Sequence, residues 1–137
     1  MDIQRFFDRL YDEGKKLELL ENELRVMEAR IKEAGGVGGS QISGGGSGGT
    51  KPRDISDLLI SEEGTRERVE RQTEKVEKLR TAADVMIDQL PEELQKIVMR
   101  QRYFRLWPWK VISMSTKMSI SYVKLKRAEA IEYLKRT

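Results

Sequence analysis

A glycine-rich segment separates two stretches of the chain, each with apolar residues at regular spacing. Nine of the sixteen residues from Gly35 to Thr50 are glycine, and glycine disfavours helix and strand because it loses more backbone entropy than other residues on folding. A continuous helix through this segment is therefore excluded. We expect a flexible loop at about residues 35–53, of a Gly/Ser composition that would also suit an engineered joint, with separate elements on either side.

Apolar residues on both sides recur at steps of three and four, the spacing of a coiled-coil seam. The first series is Ile3, Phe6, Leu10, Leu17, Leu20, Leu24, Met27, Ile31 and Ala34, and the second is Ile55, Leu58, Val69, Val76, Leu79, Ala83, Met86 and Leu90. Glu13 interrupts the first series, Gly14 weakens its helix by about 1 kcal/mol relative to alanine, and the second series has Glu62, Thr65 and Gln72 at seam positions. Residues 1–90 are predicted to form a long antiparallel helical hairpin, with Asp54 or Ser56 capping its second helix.

The heptads end at Pro91, and shorter helices are predicted beyond it. Pro91 followed by two glutamates is typical of a helix start, and Pro108 interrupts that helix. The predicted helices run from Pro91 to about Phe104, from about Pro108 to Ser115, and from a cap at Ser119 to about Lys135. A turn at Lys117 and Met118 separates the last two. The fold prediction is all-α, with a helical hairpin over 1–90 and a helix-turn-helix domain over 91–137.

Missing residue types narrow the possible functions. The chain has no cysteine and no histidine, which removes disulfides, most zinc sites, and the nucleophile systems that use a histidine base. No catalytic residues, metal site or cofactor are expected, and the protein is predicted not to be an enzyme. No apolar run is long enough for a membrane span, so a cytoplasmic protein is expected.

The basic charge lies at the C-terminal end. Residues 100–137 hold ten Lys/Arg and two Glu, a net charge of +8, whereas the first 99 residues carry a net charge of −5. Such an asymmetry is typical of a polyanion-binding domain joined to an acidic body. Together with the predicted helix-turn-helix, whose second helix would lie in a major groove, it indicates binding to double-stranded DNA.

The candidate DNA-binding residues are cations and hydroxyl-bearing side chains near the last two helices. They are Arg100, Lys110, Ser119, Ser121, Tyr122, Lys124, Lys126 and Arg127. The inward stripe of the last helix is predicted as Val123, Ala130, Ile131 and Leu134, which leaves Leu125 and Ala128 on its other faces. The strong readers of guanine and adenine are arginine, asparagine and glutamine, and of these only Arg127 is present on the early turns of this helix.

Both tryptophans flank Pro108 in the sequence RLWPWKVIS. Tryptophan is usually at least partly buried. We expect Trp109 to be an internal anchor between the short helices. Trp107, on the other side of the proline, is the candidate for an exposed contact with DNA backbone, a second subunit or polymerase.

The C-terminal segment LPEELQKIVMRQRYFRLWPWKVISMSTKMSISYVKLKRAEAIEYL resembles region 4 of the sigma-70 type. The matching positions are Tyr103, Trp109, Ile112, Ser113, Met118, Ser119, Val123, Ala130, Ile131 and Leu134. Two positions depart from that pattern: Lys117 stands where glycine is common in the turn, and Thr116 where an apolar residue is usual. The resemblance implies a sigma-like helix-turn-helix that binds promoter DNA.

Over nearly its whole length the chain resembles small phage proteins of the ArpU/RinA type. The features that carry the likeness are the long first helix, the Gly/Ser gap, the segment RDISDLLISEE, the charged second helix and the C-terminal module. The resemblance implies a phage or prophage regulator of late-gene transcription that acts in a bacterial host cell. RNA polymerase and a second copy of the chain, bound through the hairpin, are further candidate partners. The alternatives are a small terminase subunit that recognises DNA for packaging, and a coiled-coil interaction protein with no DNA role.

Overall fold

A computed structural model describes residues 1–36 and 55–137. Most of these residues form five α-helices joined by short connections. The helices are α1 (Ile3–Gly36), α2 (Ile55–Asp88), α3 (Glu93–Tyr103), α4 (Trp109–Thr116) and α5 (Ile120–Arg136). No strand occurs within these two ranges, which confirms the all-α prediction. Residues 37–53 of the predicted loop and the candidate cap Asp54 lie outside the described residues. Within the described residues, no helix combines the length and apolar character that crossing a membrane requires.

The described chain forms two compact units. Residues 1–16 and 73–137 make up the first unit, and residues 17–72 make up the second. The boundary predicted between residues 90 and 91 thus falls inside the first unit, because the ends of the long helices pack with the three short ones. The functional candidates, from Arg100 to Arg127, all belong to this first unit.

In the second unit, the residues at the predicted seam are less exposed than their neighbours. Leu17, Thr65 and Gln72 are buried, and the remaining seam positions from residue 20 to 31 and from 58 to 69 are partly buried. Ion pairs between α1 and α2 join Glu28 to Arg66 at 3.0 Å and Glu23 to Arg68 at 3.7 Å. The later residue of α1 therefore meets the earlier residue of α2.

The first unit contains the main hydrophobic core. It consists of Phe7, Leu10, Ala83, Ile87, Leu90, Met99, Tyr103, Ala130, Ile131 and Leu134, with Phe6, Tyr11 and Met86 among the partly buried residues packed on it. Phe7 and Ile87 lie outside the predicted heptad series, yet both are fully buried. A two-helix seam needs one narrow apolar stripe per helix, whereas here the short helices cover additional faces of α1 and α2.

A close approach explains the glycine in the middle of α1. Gly14 is buried, and a Cβ atom added there would lie 3.0 Å from Cδ1 of Leu106. Leu106 itself is buried and has a φ of 59°, in the left-handed region that non-glycine residues rarely adopt. The absence of a side chain at Gly14 therefore leaves room for Leu106, which is part of the α3–α4 connection.

A second, smaller core holds α3, α4 and α5 together. Val98, Ile112 and Val123, one from each helix, are fully buried in contact, and Leu94, Trp107 and Trp109 pack against them. We call these three helices the C-terminal module. Because each helix contributes a single central residue, this second core is small. Packing of α3 and α5 on the main core further stabilises the module.

The turn between α4 and α5 forms without glycine. Lys117 adopts the left-handed conformation at φ 61° and ψ 30° and ends α4, so lysine occupies the backbone conformation for which glycine is preferred. The Ser119 hydroxyl then accepts a hydrogen bond from the Tyr122 amide at 3.1 Å, which confirms the predicted helix cap. For α3, the predicted start at Pro91 was two residues early, because the helix begins at Glu93 with Glu92 as the cap residue.

Two helical glycines, Gly14 and Gly64, are predicted to respond differently to substitution by alanine. No atom lies within 4 Å of a Cβ added at Gly64, so Gly64→Ala should raise the free energy of unfolding by about 1 kcal/mol through helix propensity alone. Gly14→Ala should gain clearly less, because the new methyl group displaces Leu106. In a Leu106→Ala background, Gly14→Ala should recover most of the gain seen at Gly64.

Urea denaturation followed by far-UV circular dichroism measures all four variants. Equal gains for Gly14→Ala and Gly64→Ala in the otherwise unchanged chain would contradict the proposed role of Gly14.

Candidate functional site

The rotation of α5 about its axis decides which candidate residues face solvent. The predicted inward residues Val123, Ala130, Ile131 and Leu134 are all buried, so the predicted stripe is confirmed. Lys126 lies on the same side, because it is three residues after Val123 and four before Ala130. Only 8% of this lysine is exposed.

The Lys126 ammonium group pairs with acids inside the C-terminal module. Its Nζ donates hydrogen bonds to Oε1 of Glu92 at 2.9 Å and to Oε1 of Glu129 at 3.1 Å, and it lies 5.1 Å from the centre of the Tyr122 ring. The hydrogen bond to Glu92, followed by the one to Glu129, raises the pKa of Lys126. The bond from Lys126 and a weaker one from Gln95 lower the pKa of Glu129. This lysine therefore links α5 to the beginning of α3.

Arg127 also points toward the protein. Its Nε donates to the Tyr103 hydroxyl at 2.9 Å, and its guanidinium lies 3.8 Å from a carboxylate oxygen of Asp8. Burial raises the pKa of Tyr103, although the hydrogen bond from Arg127 opposes that rise. The only residue predicted to read guanine on the early turns of α5 thus joins α5 to α3 and α1.

The third cation with internal partners is Arg100. Its Nη2 atom lies 2.6 Å from Oδ1 of Asp88 and 3.1 Å from Oδ1 of Asp84. The hydrogen bond to Asp88 is the main reason that the pKa of Arg100 is raised. Arg100 therefore connects α3 to the last turns of α2.

The other five candidate residues are exposed. They are Lys110, Ser119, Ser121, Tyr122 and Lys124, located on α4, on the turn and on the first turns of α5. Within residues 1–36 and 55–137, no acidic side chain pairs with Lys110 or Lys124. The structure thus divides the eight candidates into an exposed group on α4 and α5 and three cations that stabilise packing.

Both tryptophans belong to the structure of the module. Trp107 and Trp109 are each partly buried against the core of Val98, Ile112 and Val123, so Trp107 is not the exposed side chain that was expected. The Arg102 guanidinium lies 4.6 Å from the Trp109 ring and donates to the Trp107 carbonyl at 3.1 Å. One arginine thereby holds the backbone of one tryptophan and the ring of the other.

A cleft of about 380 Å³ lies beside these residues in the first unit. Its lining is Asp8, Tyr11, Asp12, Arg102, Tyr103, Trp109 and Arg127. Both arginines already have partners there: Arg102 stacks 4.3 Å from the Tyr11 ring, and Arg127 bonds to Tyr103. Among the described residues, no group of acidic side chains is arranged to hold a metal ion. The two arginines of the cleft therefore interact with side chains of the protein itself.

The exposed face of the module is more apolar than its charge suggests. Met114, Met118, Ile120 and Leu125 are all exposed, and Met118 and Leu125 each follow an exposed lysine in the sequence. Sequence reasoning placed Leu125 off the inner stripe but gave it no function. The helical period of about 3.6 residues identifies positions that face away from the core, such as Leu125. No local sequence pattern predicts what an exposed leucine contacts.

Comparison of the chain with protein-family models, curated proteins and solved structures gives no match. The description of the site therefore depends on the chain's own residues.

The positions of the tryptophans predict similar losses of stability. Trp107→Ala and Trp109→Ala should each lower the free energy of unfolding by about 2 kcal/mol, less than the 3–5 kcal/mol typical of a fully buried ring. Met114→Ala, on the exposed side of α4, is the control and should change stability by less than about 0.5 kcal/mol. Urea denaturation measures the three. A Trp107→Ala variant as stable as the control would mean that Trp107 contributes no packing.

The lowered pKa of Glu129 predicts a pH-dependent contribution to stability. Since the folded state favours the ionised carboxylate, the contribution is present above the ordinary glutamate pKa of about 4.3. It is lost as the pH falls through the lowered pKa. Glu129→Gln should therefore reduce stability at pH 7, and its difference from the unchanged chain should shrink as the pH approaches 3.

Thermal unfolding at a series of pH values tests this, with Glu132→Gln as the control. Glu132 is exposed on the same helix, and its ion pairs within the described residues are with its neighbours Lys135 and Arg136. Such surface pairs contribute little. A Glu129→Gln deficit that stays constant down to pH 3 would contradict the prediction.

Proposed function

We propose that the protein binds double-stranded DNA in a sequence-specific manner through α4 and α5, acting as a helix-turn-helix. The observation that carries the proposal is the exposure of Lys110 and Lys124, without acidic partners in the described chain, on two helices joined by a tight turn. A short first helix, a three-residue connection and a longer second helix are the parts of this motif. Lysines that no internal acid neutralises are suited to displacing the counterions of DNA phosphates.

The exposed hydroxyl groups support the same assignment. Ser121 and Tyr122 lie on the first turns of α5, the region that a recognition helix brings closest to base edges. Ser119 caps the helix through its hydroxyl, so its role is to fix the start of α5 near the DNA. Phosphate contacts are assigned to Lys110 and Lys124, because Arg100, Lys126 and Arg127 have partners within the protein.

The long helices would supply the second half of the function. In the second unit the ion pairs of α1 with α2 run in opposite order, and in the first unit Glu13 pairs with Lys75 while Phe7 and Leu10 share a core with Ala83 and Ile87. These contacts support antiparallel pairing within each unit, as the hairpin prediction requires. We propose that α1 and α2, paired in this way, provide a binding surface for a second copy of the chain or for RNA polymerase.

The biological role proposed is regulation of late-gene transcription in a phage or prophage, inside a bacterial host cell. It follows from the resemblance to small phage regulators of the ArpU/RinA type and from the proposed DNA-binding module.

Sequencing of the genomic DNA that the protein selects distinguishes the regulator from a terminase subunit and from an interaction protein. One enriched motif near promoters supports the regulator, enrichment at a packaging site together with ring-sized particles in light scattering supports a terminase subunit, and no enrichment supports an interaction protein.

Removal of the two exposed lysines should weaken DNA binding and its salt dependence. Lys110→Ala with Lys124→Ala should reduce the slope of log K against log salt by about 1.8, since each lost phosphate contact on duplex DNA contributes about 0.9. Arg127 is unsuitable for this test because its loss also breaks the bond to Tyr103.

Fluorescence anisotropy with a duplex probe at several salt concentrations measures the slope. The matched control is Lys16→Ala with Lys78→Ala, which removes the same charge from exposed positions of α1 and α2 and should leave the slope unchanged. If both double variants behave alike, the effect is one of net charge and the assignment to α4 and α5 fails.

A further inference from the structure

The outer face of α5 combines one cation with small and apolar side chains. Ser121, Lys124, Leu125 and Ala128 are spaced so that they share one side of the helix, and all four are exposed. Ile120 lies one turn before Lys124 and is exposed to 41%, while Leu125 is exposed to 49%. This face is where a helix-turn-helix meets the base pairs.

This face carries no exposed arginine, asparagine or glutamine, and Lys124 is its one side chain of a type that pairs with guanine. Arginine, asparagine and glutamine make the paired hydrogen bonds to guanine and adenine in the major groove, and no exposed residue from Ile120 to Ala130 is of these types. Arg127, the only arginine in that stretch, donates its Nε to Tyr103. The ammonium group of Lys126 is held by Glu92 and Glu129. Hydrogen-bonded recognition from this part of α5 is left to Ser121, Tyr122 and Lys124.

An apolar side chain has one partner at a base edge in the major groove, the 5-methyl group of thymine. We infer that Leu125 contacts the 5-methyl group of thymine and so determines the sequence specificity of the module. The inference rests on the proposed DNA-binding function and deepens it. Lys124, which has no acidic partner among the described residues, lies beside Leu125 and favours a polyanion as the occupant of this face. An apolar protein partner would have to desolvate its ammonium group.

The occupant can be tested by removing only the methyl group. A duplex is first selected from a random library by the unchanged protein, and the same duplex is then synthesised with deoxyuridine in place of thymidine. Uracil keeps the hydrogen-bonding groups of thymine, so a change in affinity reports the methyl contact. The uracil duplex should bind about fourfold more weakly for each contacted thymine, the effect of losing one buried methyl group.

The variant that identifies the reader is Leu125→Ala. It should bind the thymine and uracil duplexes equally, within about 1.5-fold, because the side chain that contacts the methyl group is gone. Leu59→Ala is the matched control, since Leu59 is 47% exposed on α2, and it should keep the full preference for thymine. Circular dichroism confirms that both variants remain folded.

Three results would overturn the inference. If the unchanged protein binds the two duplexes equally, methyl groups are not read, although duplex binding itself would leave the proposed function standing. If Leu125→Ala keeps the preference for thymine, another residue reads the methyl group. If no duplex is selected and Leu125→Ala alters only self-association in light scattering, the face contacts protein, and the proposed function fails with the inference.

Discussion

The packing of α5 on α3 fixes what the C-terminal module presents to its surroundings. Val123 meets Val98 in the small core, while Ile131 and Leu134 meet Met99 and Tyr103 in the main one. A helix anchored at both ends of one face cannot rotate without exposing apolar area at one end, and each buried side chain of this size contributes about 1.5–3 kcal/mol. The outer face of α5 is therefore determined by the inner one.

Polar contacts add direction to this packing. Lys126 reaches the carboxylate of Glu92 at the start of α3, and Arg127 reaches the hydroxyl of Tyr103 at its end. Breaking either contact would leave a partly buried polar group without its partner, which costs more than the bond contributes when formed. The two bonds therefore disfavour a shifted register of α5, in which the same apolar residues would still be buried.

The first unit also depends on the connection between α3 and α4. Leu106 takes a left-handed backbone conformation there and packs over Gly14, while Arg80 on α2 donates to the Phe104 carbonyl at 3.0 Å. Arg100 adds its bonds to Asp84 and Asp88. These contacts explain why residues 1–16 form a compact unit with the C-terminal residues and why the end of the heptads at residue 90 does not coincide with a boundary of that unit.

The sequence predicted the helices well because their signals are local. Pro108, the cap at Ser119 and the stripe of Val123, Ala130, Ile131 and Leu134 each act within a few residues, and the structure has these features where they were expected. Leu106 and Phe7 depend on contacts between residues far apart in the chain, which no local pattern reveals. Lys126 was predicted to bind DNA, whereas the structure buries it on the same side of α5 as Val123 and Ala130.

Counting charges overstated the basic surface for a related reason. Of the ten basic residues from residue 100 onward, Arg100 and Arg127 pair with carboxylates of α2 and α1, and Lys126 pairs with Glu92 at the start of α3 and with Glu129 on α5. Lys135 and Arg136 pair with Glu132. The exposed cations that remain are Arg105, Lys110, Lys117 and Lys124. Since sequence-independent affinity for DNA grows with the number of phosphates neutralised, a small set of cations supplies limited affinity, and a larger share of the binding energy must come from contacts with the bases. The apolar side chains on α5 lie where such contacts would be made.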